Sequence, residues 1–204
     1  MYRELDINFD FLKNHEHKIR TDKFLSSQKS QGTGMLWIDE NQDEFTDVVK
    51  FTDNIAVTLN CMTARSCYTT QLHDHSHIPV HVDFDDTKQN DTHHSLVYSL
   101  IVPITGSGIT TFYNLHPDDL GPEKTDWKQR HDVLYDSYND VSKKLTVKEQ
   151  ITITKPTILC ISYPHSVTVT ESPRVTYHLK LLGCKDNIDT IAQKLNNMRI
   201  ENAQ

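Results

Sequence analysis

The chain has 204 residues, enough for one domain with a substantial core, and its 36% hydrophobic and 24% charged content lies within the globular range. A formal net charge of −7 argues against nonspecific attraction to nucleic acid or an anionic membrane. No apolar run approaches the ~20 residues of a membrane span, and no N-terminal stretch joins basic residues to an apolar run and a cleavage site.

The four cysteines, Cys61, Cys67, Cys160 and Cys184, form no C-x-x-C pair and no dense framework. They read as buried or free thiols, and a cytoplasmic protein is expected. The first 30 residues are polar with scattered apolar positions, among them Leu5, Phe9, Leu12 and Ile19. A short strand or extended arm followed by a helix is expected there. Residues 55–63 mix β-branched residues in loose alternation and read as a strand. The histidine-rich run His73-Asp74-His75-Ser76-His77 and the pair His93-His94 read as solvated polar loops.

Residues 95–105 are apolar and end at Gly106-Ser107-Gly108, which is expected to turn the chain into a second strand at 109–113. A polar insertion covers about 115–149, and its part from 127 to 145 carries an apolar stripe (Trp127, Val133, Leu134, Tyr138, Val141) that suggests a helix. Further strands are expected at 150–155, 157–163, 166–170 and 174–182. In the last, Val175, Tyr177, Leu179 and Leu181 alternate with Thr176, His178, Lys180 and Leu182. Apolar residues from Ile188 to Ile200 recur at helical spacing. Many short strands, helices at the ends and no β-α-β alternation predict a mainly β chain: an antiparallel sandwich or jelly roll, cupin-like, with flanking N- and C-terminal helices. The core is placed at about 55–183 within a single domain spanning 1–204.

The most informative phrase is His81-Val82-Asp83. On a strand, residues two apart point the same way, so the imidazole and the carboxylate share a face. A histidine from another strand, His165 in Pro164-His165-Ser166-Val167, can complete two imidazoles and one carboxylate on one side of a metal. That donor set leaves positions open for oxygen and a co-substrate, as at non-haem Fe(II) sites. Arg174, beyond His165, carries the forked donors that clamp a small dicarboxylate. A second H-x-D, His116-Pro117-Asp118, is the weaker candidate, because its proline cannot donate to a ladder and its surroundings read as a turn.

In this order (H-x-D, apolar strand, glycine pair, distal histidine, arginine with a hydroxyl two positions on) the chain from Asn60 to Leu182 resembles the Fe(II)- and 2-oxoglutarate-dependent dioxygenase superfamily. Its layout is similar to that of small oxygenase-like proteins of marine phage and bacterial genomes. The resemblance implies a double-stranded β-helix, His81, Asp83 and His165 as iron ligands, Arg174 as the 2-oxoglutarate anchor and Thr176 as its helper. Tyr98, with Thr110 and Tyr113, is a candidate contact to the co-substrate from neighbouring strands. The implied reaction consumes oxygen and 2-oxoglutarate, releases succinate and carbon dioxide, and hydroxylates a small-molecule or peptide substrate. Two alternatives stay open: a cupin-like metal protein using His73, His75 or His77, and a non-catalytic jelly-roll binding protein.

Overall fold

The computed structural model describes residues 1–19, 33–38, 42–81, 83, 96–114 and 145–198. The proposed helix at 127–145, apart from its last residue, lies outside these, as do His93-His94, the triplet His116-Pro117-Asp118 and Ile200. The strands are β1 (Tyr2–Glu4), β2 (Thr33–Trp37), β3 (Met62–Gln71), β4 (His77–His81), β5 (Tyr98–Tyr113), β6 (Val147–Thr152), β7 (Thr157–Cys160) and β8 (His165–Leu182). The α-helices are α1 (Glu16–Ile19), α2 (Thr46–Leu59) and α3 (Ile188–Asn196), with short 3-10 segments at Asp10–His15 and Gln42–Glu44. All pairings among these strands are antiparallel. The chain is mostly antiparallel sheet with few helices, as its pattern of short apolar runs predicts.

The sheet runs β1-β7-β5-β8-β3-β2, with β4 also on β8 and β6 also on β5. The two long strands β5 and β8 pair along their length and exchange outer neighbours on the way. The first part of β5 (98–101) pairs with β7 and its last part (109–113) with β6. Likewise β8 pairs with β4 through 165–168 and with β3 through 174–182.

This differs from the expected strand–turn–strand arrangement. Gly106-Ser107-Gly108 does not turn the chain, and 166–170 and 174–182 are one strand rather than two. The glycines answer a close approach instead. Gly106 has φ +67, and a Cβ there would stand 2.5 Å from the carbonyl oxygens of both Glu171 and Pro173 and 2.8 Å from the Arg174 Cα. The β5–β8 register slips across this point and on either side of it, between Pro103 and Thr105, between Thr105 and Ser107 and between Ser107 and Gly108. An irregularity is also where a proline such as Pro173 can sit in a central strand.

One face of the sheet is covered by helices. Val175, Tyr177, Leu179 and Leu181 of β8, with Tyr98, Leu100 and Val102 of β5, pack against Val48, Phe51, Ile55 and Leu59 of α2 and Ile191 and Leu195 of α3. Each such side chain taken fully out of water contributes roughly 1.5–3 kcal/mol. Helix α2 corrects the reading of residues 55–63 as a strand over 55–59, whereas Met62 and Thr63 do open β3: the apolar positions 48, 51, 55 and 59 follow the helical period, and packing on the sheet outweighs the β-branched residues' weak preference. It stops at Asn60, whose left-handed backbone (φ 47) lets its N–H reach the Ala56 and Val57 carbonyls. The opposite face of the sheet carries a smaller cluster that includes Val97, Ile101, Phe112, Leu159 and Leu182.

Gly106→Ala should cost about 2–4 kcal/mol, because the added Cβ meets backbone atoms that cannot rotate away and the left-handed φ disfavours alanine. Urea denaturation of the two proteins, compared at equal m-value, measures the loss.

Candidate metal centre and anion site

Strand β4 ends at His81, which lies directly across from His165 at the start of β8. Cross-strand partners share a face, so the two imidazoles meet, with ring centroids 4.2 Å apart. Asp83 follows β4, anchored by its backbone N–H to the Ile161 carbonyl. One ligand atom from each of His81, Asp83 and His165 can be chosen so that all lie within 4.8 Å of one another. Among the described residues they are the only group of three or more histidines, cysteines or acids so arranged. The structure thus brings the three side chains together at one place.

Asp83 Oδ2 stands 3.8 Å from Nε2 of His81 and 3.8 Å from Nε2 of His165. These separations exceed hydrogen-bond length. They suit donors to one ion, since two atoms each about 2.1 Å from a shared metal stand about 3–4 Å apart. His165 is prepared for such a role. Its Nδ1 lies 2.9 Å from the Tyr163 carbonyl, which only accepts, so Nδ1 carries the proton and Nε2 keeps its lone pair toward Asp83. Burial, then the charge of His81, pushes its pKa down to about 4 against an opposing pull from Asp83, so the ring is neutral at physiological pH.

Arg174 sits on the same side of the sheet. It is 4% exposed, and its Nη1 donates to Gln71 Oε1 at 2.6 Å across the β3–β8 pair. Burial lowers its pKa to about 10, which leaves it charged at neutral pH. Among the described residues no carboxylate pairs with it. The Gln71 Nε2 beside it is buried without a hydrogen-bond partner. An unpaired buried cation and an orphaned amide donor in one place suit an anionic ligand, because leaving both unsatisfied is costly.

Thr176 is 1% exposed, and its hydroxyl joins a chain, 2.7 Å from the Thr69 hydroxyl and 2.8 Å from His178 Nε2. His178 belongs to the site although the sequence reading did not name it there. Burial, and next the charge of Arg174, lowers its pKa to about 3, with Asp83 opposing and His165 and His81 adding to the fall. Lys180 completes the row, its Nζ 3.4 Å from Asp83 Oδ1. Strand alternation already put Thr176, His178 and Lys180 on one side. Gln71 and Thr69 carried no such signal, because the pairing of β3 with β8 is not readable from either segment alone.

Tyr98 is corrected. It faces Leu181 across β5–β8 and lies in the helix-covered apolar cluster, on the opposite side of the sheet from the Arg174–Lys180 row. Burial pushes its phenol up to about 12, and its role there is packing. Tyr113 bonds the Ser166 hydroxyl at 3.0 Å. Thr110 is buried opposite Val167. His73, Asp74 and His75 are exposed on the β3–β4 loop, and His77 bonds the Thr168 hydroxyl. None of these joins the metal-capable group, which removes the histidine-rich run as a source of further ligands.

No sequence-family model matches the chain, and no curated protein is significantly similar in sequence. Solved structures are similar in fold. The non-haem alpha-ketoglutarate-dependent epimerase SnoN of nogalamycin biosynthesis superposes with a TM-score of 0.54 at 11% identity, over 89% of this chain and 78% of that one. The chain has the fold of the Fe(II)- and 2-oxoglutarate-dependent oxygenases. Two further solved structures match at lower scores. The viral collagen prolyl hydroxylase of Paramecium bursaria chlorella virus-1 gives 0.44 at 12% identity over 89% of this chain and 95% of that one. EctD from S. alaskensis gives 0.46 at 10% identity over 89% and 71%. Of these, SnoN alone exceeds 0.5, and it supports the fold rather than a substrate. Among the described residues no helix is long and apolar enough to cross a membrane.

His165 and His178 are held neutral when folded but take a proton below about pH 6.5 when unfolded. The unfolded chain therefore binds more protons between about pH 6.5 and pH 4, and stability rises with pH through that window. The metal-free protein should lose stability as pH falls from 6.5 toward 4, with a slope of up to about 1.4 kcal/mol per pH unit for each histidine. Urea midpoints from pH 7 to 4.5 test this, and His178→Leu should flatten the profile.

Proposed function

We propose that the protein is a 2-oxoglutarate-dependent non-haem iron oxygenase, built on a double-stranded β-helix, that oxidises a small-molecule or peptide substrate. The observation that carries this reading is the His81–Asp83–His165 group, in which one carboxylate oxygen faces two imidazole nitrogens at equal distance on a fold shared with such oxygenases. Two neutral imidazoles and one carboxylate are the donor set of a facial Fe(II) site. Bound there, iron supplies the oxygen chemistry that couples decarboxylation of 2-oxoglutarate, to succinate and carbon dioxide, to oxidation of the substrate, with hydroxylation as the proposed outcome.

The chain's own residues bind and orient. Arg174 offers its fork to the distal carboxylate of 2-oxoglutarate from a buried position where the attraction is weakly screened. Gln71 fixes the guanidinium through Nη1. Thr176, tied to Thr69 and His178, holds a hydroxyl beside the arginine rather than turning freely. Neutral His178 adds no charge to a pocket meant for an anion, and it presents hydrogen-bonding nitrogens instead. The Tyr163 carbonyl holds the proton of His165 at Nδ1, away from the metal side.

Three measurements test the reading together. Anaerobic addition of Fe(II) and then 2-oxoglutarate should give a visible charge-transfer band that needs both on one centre. Asp83→Ala should abolish the band and succinate formation while leaving the fold intact, since it removes the only anionic ligand of the group. Arg174→Lys keeps the charge but not the fork, and should weaken 2-oxoglutarate by about tenfold or more with little change in metal affinity. Equal succinate production by wild type and Asp83→Ala, with free iron removed, would rule the oxygenase out.

A further inference from the structure

Lys180 is the one charged group of the site that the binding of iron and the distal carboxylate does not use. Its ammonium lies 3.4 Å from Asp83 Oδ1, on the opposite oxygen from the one facing the imidazoles. Charge-assisted N–H···O bonds are ordinarily about 2.7–2.9 Å long. The ammonium therefore sits beside Asp83 without being locked to it, and its side chain is 21% exposed, with a path to solvent.

The charges around it are unequal. Among the described residues of this site the charged groups beside the candidate metal ligands' one carboxylate, Asp83, are two cations, Arg174 and Lys180, and of these Lys180 is the one that approaches the carboxylate. A divalent metal neutralises the charge of Asp83 and leaves one positive charge over, so that with Arg174 and Lys180 the site carries three. A dicarboxylate then cancels two. One positive charge is left, and Lys180 is the group that carries it at the open edge. Its stem is held by the strand: Lys180 pairs with Ser99 on β5, and Leu182, next on the same side, is buried in the smaller apolar cluster.

Resting on the reading above, we propose that Lys180 forms a carboxylate-binding subsite next to the metal, distinct from Arg174, and that it turns from Asp83 to a ligand carboxylate once Asp83 is committed to the metal. Two sources present that chemistry: a carboxylate on the substrate, and the 1-carboxylate of 2-oxoglutarate. The charge left over after the co-substrate is bound favours the substrate, so the protein's substrates are acids rather than neutral molecules.

The test uses the full-length protein saturated with Zn(II), so that ligand binding is compared at equal metal occupancy by calorimetry. Wild type, Lys180→Met and Lys180→Arg are each titrated with 2-oxoglutarate. With 2-oxoglutarate saturating, each is then titrated with acetate and with acetamide, its uncharged analogue. In wild type acetate should bind about tenfold more tightly than acetamide. Lys180→Met should erase that difference while 2-oxoglutarate affinity stays within about twofold, and Lys180→Arg should restore most of it. A loss of about tenfold in 2-oxoglutarate affinity, with acetate and acetamide already equal in wild type, assigns the subsite to the co-substrate instead and overturns the acidic-substrate inference. Unchanged binding of both in Lys180→Met overturns the subsite altogether. Should that variant not fold by circular dichroism, Lys180→Gln carries the same comparison. Failure of wild type to take up Zn(II) at all would bring down the metal-site reading and this inference with it, whereas every other outcome separates the two.

Discussion

Everything in the site depends on one irregularity in the pairing of β5 with β8. His165 and Arg174 are nine positions apart on a single strand, and on a regular strand an odd separation puts side chains on opposite faces. Here they share a face. His165 lies opposite Phe112, so positions 165, 167 and 169 belong to the side of Gly108, Thr110 and Phe112. Arg174 reaches that same side, since a Cβ on Gly108 would stand 3.0 Å from its Cδ and Nε. The slip in register around Ser107, opposite Glu171 to Pro173, changes the parity of β8 between Val169 and Arg174. Gly106 makes that slip possible by leaving room for three backbone atoms of the other strand. Without it, the arginine and the histidine would point to opposite faces of the sheet.

The same strand also orders the electrostatics. From the slip onward its inner positions run Arg174, Thr176, His178 and Lys180: a buried guanidinium, a hydroxyl, a neutral imidazole and an ammonium near solvent. Burial acts in opposite ways along this row. A guanidinium stays charged even with its pKa lowered to about 10, so desolvation leaves it seeking an anion. An imidazole instead gives up its proton, and at about 3 His178 is neutral throughout the physiological range. Charge survives only at the two ends of the row, so one strand offers two separate places that suit an anion.

Much of the site was legible because its residues lie close in sequence on extended chain. The same-face rule places His81 with Asp83, and the alternation in β8 places Thr176, His178 and Lys180 together. The fold class was legible from the run of short apolar segments. What was not legible depends on contacts between distant segments. Residues 55–59 look strand-like alone, but Val48, Phe51 and Ile55 meet the sheet only if the segment is helical. Gly106-Ser107-Gly108 has the composition of a turn, and only the backbone of Glu171–Arg174 pressing against it reveals a strand. Tyr98 was misplaced because parity on β5 cannot be counted across a slip that the sequence does not announce. Gln71 reaches the site through a register with Arg174 that no local pattern encodes.

A site strung along one strand has a mechanical consequence. His165, Arg174 and Lys180 are fixed to one another by covalent chain and by the β5 ladder, while His81 joins from β4 and Asp83 from just beyond it. The metal-capable group therefore bridges two segments: β8, paired through most of its length, and β4, paired with β8 through a few positions only. Of the parts of the site, the β4 side is held by the fewest strand contacts. A metal shared by His81, Asp83 and His165 would act as a cross-link between them, constraining the H-x-D segment far more than it constrains Arg174. Arg174, held instead by burial, Gln71 and the ladder, keeps its place independently of the metal. This separation of supports is the physical reason that substitutions at Arg174 and in the metal-capable group should act separately.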